Sequence, residues 1–306
     1  MNTVTVLDPS LAGAPARIAT VQNPAILAPV QATSDDQLIA LWLHGRSACT
    51  QRAYLSDVRG FLAFVGIELR LVTLGHVQAF ADSLKGRADK SQARTIAAVR
   101  SLLTFAHKVG YVSFNVGAAM RQPKVKNTLA QRIMAEADTL RMLALENNPR
   151  NRALLFFLYD AGARVSEAVG LTWADVRPDG NSAVVTLLGK GGKTRFNRLA
   201  VTTWKYLQAI RPECATGNMP VFASRKGGGS LDPSMVDRIV RTAAVRAGID
   251  AAVSAHWLRH AHASHAMNRG AKLHEITAQL GHSSAAVTSM YLHVNPEESS
   301  SRYLAI

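Results

Sequence analysis

Ala183-Val-Val-Thr-Leu-Leu-Gly-Lys-Gly-Gly-Lys-Thr-Arg-Phe-Asn-Arg-Leu-Ala-Val201 is the stretch of this sequence that reads as β-structure. Apolar and polar residues alternate on both sides of the cluster Gly189 to Lys193, with β-branched residues frequent. That pattern is expected to fold as a strand over 183–188, a turn, and a second strand over 194–201, a β-hairpin. Glycines let such a turn approach another backbone closely. The surrounding sequence has helical spacing, so the chain is expected to be mainly α with one small β-sheet or hairpin.

Working outward, helices are expected over Glu136–Glu146 and Asn151–Ala161 before the hairpin, and most of the chain from Trp204 onward is expected to be helical. Residues 132–306 thus read as one mixed α+β domain. Before it, Arg121-Gln-Pro-Lys-Val-Lys-Asn-Thr128 breaks the periodicity and is basic, and Pro123 disfavours helix just ahead of it, so 121–131 reads as a linker. Residues 34–120 read as an all-helical domain. Ser34 or Asp35 can cap a helix carrying Leu38, Ile39, Leu41 and Trp42, followed by helices over Cys49–Phe64, Leu74–Leu84 and Lys90–Val109. Residues 1–33, punctuated by Pro9, Pro15, Pro24 and Pro29, read as a flexible arm.

The 306 residues include 35 Lys and Arg against 21 Asp and Glu, a net charge of +14. Such a surface attracts polyanions, because neutralising phosphates releases counterions. Charge alone leaves DNA, RNA and anionic membranes open. The two cysteines, Cys49 and Cys214, are too few and too far apart for a disulfide framework or a Cys-based zinc site, and are read as packing residues in a reducing compartment. No run of about 18 apolar residues suggests a membrane span, and the N-terminus does not read as a secretory signal.

Four segments carry candidate chemistry. Gly162-Ala-Arg164-Val-Ser-Glu167 follows the apolar run Leu154-Leu-Phe-Phe-Leu-Tyr159 and precedes another helix. Arg164 is therefore expected at a helix start, where free backbone N–H groups favour an anion, with Glu167 near enough to hold a neighbouring cation. Lys190 lies in the hairpin turn with Lys193; this is no Walker P-loop, because no helix follows and the Gly-Lys-Ser/Thr register is absent. His256-Trp-Leu-Arg259 places a His and an Arg on one helix face. Nearby His260, His262 and His265 raise a metal alternative, weakened by the absence of an acidic ligand or a His-Glu-x-x-His register. In Leu280-Gly-His282-Ser-Ser-Ala-Ala-Val-Thr-Ser-Met-Tyr291, Gly281 is expected to end a helix bearing Leu273, Ile276 and Leu280, and Ser283 or Ser284 to cap a short helix carrying Tyr291. Taken singly, these are also what a surface ion pair, a solvated turn lysine or a packing tyrosine would look like.

Taken together and in this order, the four segments resemble the tyrosine recombinase (phage integrase) family, most closely its bacterial Xer-like branch. Ser47-Ala-Cys-Thr50-Gln-Arg-Ala-Tyr54-Leu-Ser-Asp57 is similar to that family's core-binding domain, and the resemblance spans roughly Ser34 to the end of the chain. It implies a C-shaped clamp on duplex DNA and a site-specific recombinase that cuts and rejoins strands through a 3′-phosphotyrosine, without metal, ATP or other cofactor. By the same resemblance Tyr291 is the nucleophile, Arg164 and Arg259 hold the non-bridging oxygens, and Lys190 rather than Lys193 is the general acid. His256 is a base or hydrogen-bond partner, His282 a phosphate donor, and Glu167 a support for the site. Lys85, Arg87, Lys90, Arg94, Arg100, Lys124 and Lys126 are candidate DNA contacts. The implied partners are double-stranded DNA with an inverted-repeat site and further subunits: a homodimer on a site and a tetramer in synapsis, or a hetero-tetramer with a second recombinase. The tail after Tyr291, with Tyr303, Leu304 and Ile306, is expected to pack on a neighbouring protomer. The implied location is the bacterial cytoplasm, at the nucleoid. Rival readings are a catalytically silent architectural protein on the same fold, a type IB topoisomerase-like enzyme or hairpin telomere resolvase, and an RNA-binding basic protein.

Overall fold

The computed structural model describes residues 31–123, 132–189, 192–225, 227–249, 252–282, 284 and 288–289. The chain divides into two compact units, Met1–Lys126 and Asn127–Ile306.

The described residues of the first unit form four α-helices: α1 (Asp35–Leu43), α2 (Ala48–Val65), α3 (Leu74–Ser83) and α4 (Asp89–Lys108). Local sequence sets their starts. The Ser34 hydroxyl accepts from the Gln37 N–H, and the Ser47 hydroxyl caps α2 through Thr50. α2 stops at Gly66, which takes a left-handed conformation with φ 64°. The helices close on a core of Leu38, Trp42, Val58, Phe61, Val77, Ile96, Leu102 and Leu103. Asp35 fixes the entry to this unit, accepting from the Tyr111 hydroxyl at 2.7 Å and from the Leu69 backbone N–H at 3.0 Å. Asp57, buried between α2 and α4, accepts from Arg94 and Thr95. Of the candidate DNA contacts in this unit, Arg94 is therefore engaged with Asp57 and Lys85 with Asp82.

The second unit runs α5 (Glu136–Ala144), α6 (Pro149–Asp160), α7 (Val165–Gly170), β1 (Val176–Asp179), β2 (Ser182–Leu188), β3 (Thr194–Arg198), α8 (Val201–Ala209), α9 (Pro233–Arg246), α10 (Ala255–Asn268) and α11 (Leu273–Leu280). The strands form an antiparallel sheet in the order β1-β2-β3, with Val185 opposite Val176 and Asn197. The mainly helical fold with a small sheet is as expected. Strand β1 is not: Pro178 interrupts a run of only four residues, and proline is tolerated there because β1 lies at the sheet edge, where a missing N–H costs no ladder bond. β3 also ends at Arg198, before the expected 201, because the Ala200 N–H turns to the Asp160 carboxylate and Val201 opens α8.

β2 presses Ala183, Val185 and Leu187 onto the same core as Leu154, Phe157 and Leu158 of α6 and Leu258 of α10. α10 is enclosed along most of its length, with Leu258, Arg259, His260, Ala261, Ala263, Ser264 and His265 all buried. Trp257, on the same helix, packs partly buried against the core. Cys49 and Cys214 are both exposed, which corrects their reading as packing residues: one lies in the first turn of α2, the other in the turn after α8. Among the described residues no helix is long and apolar enough to cross a membrane.

Candidate active site

The site is built around the turn that follows α6 and the end of α11. Gly162 leaves α6 with φ 56°, and a Cβ on it would stand 2.5 Å from Leu280 Cδ2 and 3.1 Å from His262 Cδ2. Only glycine allows both the backbone conformation and the approach of α11. Two residues on, Arg164 caps α7. Its backbone N–H donates to Glu167 Oε2 at 2.7 Å and its Nη1 to Oε1 at 2.8 Å. Of the backbone N–H groups expected to be free at this helix start, that of Arg164 is thus filled by the chain's own carboxylate.

Glu167 is 1% exposed at its side chain and is gripped a second time by Arg195 of β3, whose Nη1 and Nη2 donate to Oε1 and Oε2, each at 2.7 Å. Burial alone would raise the Glu167 carboxyl. The hydrogen bonds from Arg195 and the Arg164 backbone, together with the Arg195 charge, overcome it and bring the group down to about 2. It is a fixed anion between two guanidinium groups.

The last carbonyls of a helix lack intrahelical donors and carry the negative end of its dipole. At α11 they are taken by side chains from three other segments. Gln279 O accepts from Arg195 Nε at 2.7 Å and Asn197 Nδ2 at 3.0 Å; Leu280 O accepts from Arg259 Nη2 at 2.6 Å; Gly281 O accepts from Arg164 Nη2 at 3.3 Å. Arg259, 1% exposed, also donates from Nη1 to Gly162 O at 2.6 Å, tying the turn after α6 to the end of α11. Gly281, with φ 62°, terminates α11 as the sequence implied and hands the chain to His282.

The His282 Nδ1 lies 2.8 Å from the hydroxyl of Thr288, a fully buried side chain. That hydroxyl also meets the Thr277 hydroxyl at 3.0 Å. Burial, then the charges of Arg259 and Arg164, lower His282 to about 4, so at neutral pH it is an uncharged donor. His256 stands one turn before Arg259 on α10, its ring edge-on to His260 with centroids 4.3 Å apart. His260 is lowered to about 3 by burial and then by His256 and Arg259, and His262 to about 4 chiefly by burial. His265 is structural: the Tyr159 hydroxyl meets Nδ1 and Met134 O meets Nε2, both at 2.9 Å. Among the described residues no group of three or more His, Cys, Asp or Glu is arranged to hold a metal ion.

The structure thus links Arg164, Glu167, Arg259 and His282 around one piece of backbone and sets His256 one helical turn from Arg259. Lys190, Tyr291, Lys124, Lys126 and the tail residues Tyr303, Leu304 and Ile306 lie outside the described residues. Lys193 is exposed just before β3, its carbonyl accepting from the Gly189 N–H at 2.8 Å. Sequence reasoning missed Arg195, Asn197 and Thr288. The signal for the first two lay in β3 itself, whose polar residues alternate in register with the buried face of the sheet.

Comparison with known proteins follows the same lines. The Phage integrase family matches residues 125–298, and the phage integrase N-terminal SAM-like domain matches residues 38–110. Tyrosine recombinase XerD of Chlorobaculum tepidum is 33% identical over 267 residues, covering 81% of this chain and 87% of the relative. Tyrosine recombinase XerC of Corynebacterium efficiens is 33% identical over 264 residues, 83% of each. Among solved structures, the XerH recombinase bound to a palindromic difH substrate in a post-cleavage complex superposes with a TM-score of 0.70 at 19% identity, over 87% of this chain and 83% of that one. A lambda integrase (75–356) dimer bound to a COC′ core site gives a TM-score of 0.71 at 18% identity, over 87% and 95%.

Proposed function

The chain belongs to the phage integrase family of tyrosine recombinases and is a site-specific DNA recombinase, and from that premise we propose how its residues divide the work. The Tyr291 hydroxyl attacks the scissile phosphate. A bond forms from the tyrosine oxygen to phosphorus, the bond to the 5′-oxygen breaks, and Lys190 supplies the proton that lets this oxygen leave as a hydroxyl. The product is a 3′-phosphotyrosine. A 5′-hydroxyl from the partner strand then reverses the same steps, so the bond energy is conserved and neither ATP nor a metal is consumed.

Arg164 and Arg259 stabilise the charge that grows on the non-bridging oxygens in the pentacoordinate state, where prearranged guanidinium donors act more strongly than water. His282 donates to the phosphate. His256 takes the proton of the nucleophile or hydrogen-bonds to it. The observation that carries this reading is the convergence of Arg164 and Arg259, from two separate segments, on the carbonyls of Gly162, Leu280 and Gly281, immediately before His282. Such a cluster of donors is what a phosphate anion needs.

The substrate is double-stranded DNA with an inverted-repeat site. Residues 34–120 form the core-binding domain, 121–131 the linker and 132–306 the catalytic domain. Lys85, Arg87, Lys90, Arg94 and Arg100, with Lys124 and Lys126, supply backbone contacts that set register. The protein works as a dimer on each site and a tetramer in synapsis, with itself or with a second recombinase, in the bacterial cytoplasm at the nucleoid. Solved relatives that share the fold are DNA-bound dimers and tetramers, which supports this assembly.

The test is covalent trapping. Wild-type protein and Tyr291→Phe are incubated in EDTA with nicked suicide duplexes carrying candidate sites and run on denaturing gels. The expected result is a protease-sensitive shifted band with wild type that is absent from the variant. Specific binding without any band would instead make the chain a silent architectural protein on this fold.

A further inference from the structure

One side chain that the mechanism above leaves unused joins three parts of the proposed site. The Arg195 side chain is 11% exposed, and its nitrogens are committed to protein partners: Nη1 and Nη2 to the two oxygens of Glu167, Nε to Gln279 O at the end of α11. It sits on β3, just beyond the turn that carries Lys190. A Cβ on Gly189 would stand 3.6 Å from Arg195 Nη1 and 3.7 Å from Glu167 Oε1, so the base of the hairpin rests against the same pair. On the other side, a Cβ on Gly281 would stand 3.1 Å from Arg195 Cδ and 3.2 Å from Nη1, so the turn presenting His282 also lies against it.

We propose that Arg195 is a positioning residue for strand cleavage, clamping Glu167 and the end of α11 so that Arg164 and His282 stand ready for the phosphate while the hairpin is held against them. The inference rests on the recombinase mechanism above. Two consequences of the geometry carry it. Arg195 takes the two-pronged face of Glu167, so Arg164 meets that carboxylate through its backbone N–H and a single guanidinium nitrogen and keeps a side chain that is 32% exposed. Without Arg195, the whole carboxylate would fall to Arg164 and draw its guanidinium inward, away from a substrate anion. Arg195 also holds Gln279 O, and so fixes the helix end from which Gly281 and His282 depart.

The experiment uses the full chain with Arg195→Lys, which keeps the charge but cannot make the two-pronged contact. Gly281→Ala is the second variant: its methyl would push on Arg195 and strain the left-handed turn that presents His282, without removing a charge. DNA affinity is read by gel shift, folding by thermal melting, and single-turnover formation of covalent complex on a nicked duplex gives the rate. The expected result is a rate lower by about 10- to 100-fold with affinity within about twofold, since small misplacement of a catalytic group costs rate rather than binding. In a Glu167→Gln background the Arg195→Lys change is expected to cost less than about threefold, because both act through one clamp. A rate within about twofold of wild type for a folded Arg195→Lys protein, or full additivity with Glu167→Gln, would overturn the assignment. A wild-type protein that binds its site yet forms no Tyr291-dependent complex would overturn the mechanism beneath it instead.

Discussion

Val185 and Asn197 face each other across the sheet, both buried, and they do opposite jobs. β2 points Ala183, Val185 and Leu187 into the core, as an amphipathic strand should. β3 points Arg195 and Asn197 inward and leaves Phe196 72% exposed. The two strands share a ladder and a face, but one end of that face meets hydrocarbon and the other meets helix-end carbonyls and a buried carboxylate. The same pleat therefore selects apolar side chains on β2 for stability and hydrogen-bond donors on β3 for the site. The comparison can be broken or sharpened by measuring stability and cleavage separately in each strand.

The largest effect is expected at Arg195. Replacing it with methionine in Arg195→Met leaves Glu167, 1% exposed, short of its two-pronged partner. Breaking a buried pair from one side costs about 3–5 kcal/mol. Urea unfolding should show that loss, and cleavage by the remaining folded protein should fall too. A stable, fully active Arg195→Met would mean that β3 is packed no differently from β2.

Acid titration makes the same point from the carboxylate side of the clamp. The Glu167 carboxyl is held at about 2 against an ordinary 4.5. Its contribution is complete above the unfolded value and is lost as pH falls from about 4.5 to about 2, a difference on the order of 3 kcal/mol. The stability gap between wild type and Glu167→Gln should therefore narrow across that window. A gap that stays constant would show that the carboxylate charge contributes nothing.

On β2 the expectation separates. Val185→Ala removes two buried methyl groups and should cost about 2 kcal/mol from lost burial and the cavity left behind. Its cleavage rate per folded molecule should match wild type, because the change trims only a side chain facing the apolar core and keeps the backbone pairing with Asn197. A slower Val185→Ala enzyme would show that the core side of the sheet also sets the geometry of the site.

How much of this was legible follows from where each signal is encoded. Ser34, Ser47, Gly66 and Gly281 mark helix ends by local chemistry, and the structure has them at those ends. The chain order of Arg164, His256-x-x-Arg259 and Gly281-His282 marked a candidate site through its resemblance to a family pattern, and the structure links Arg164 and Arg259 to the backbone just before His282. Three things were hidden. β1 was masked by Pro178, whose tolerance depends on an edge position that only the fold defines. The neutral state of His282 depends on burial and on the charges of Arg259 and Arg164, which come together only in three dimensions. Arg195 was hidden because period-two reading assumes the inner face is apolar, and that assumption fails where a strand borders a polar site.

Phe196 puts a number on that failure. Read as a strand, Thr194-Arg-Phe-Asn-Arg198 has one large apolar residue at its centre, and burying it would make truncation cost about 3–5 kcal/mol. In the fold it faces outward, opposite Thr186 on the exposed side of the hairpin. A cross-strand pair of that kind contributes a few tenths of a kcal/mol, up to about 1. Phe196→Ser is therefore expected to shift the urea midpoint hardly at all, within about 0.5 kcal/mol, and to leave single-turnover cleavage unchanged. A loss above about 2 kcal/mol would mean that Phe196 is covered in the free protein, and that β3 buries an apolar face after all. Unchanged stability would leave Arg195 and Asn197 as the inward face of β3, and the inside-out alternation of this strand as the mark that the site left in the sequence.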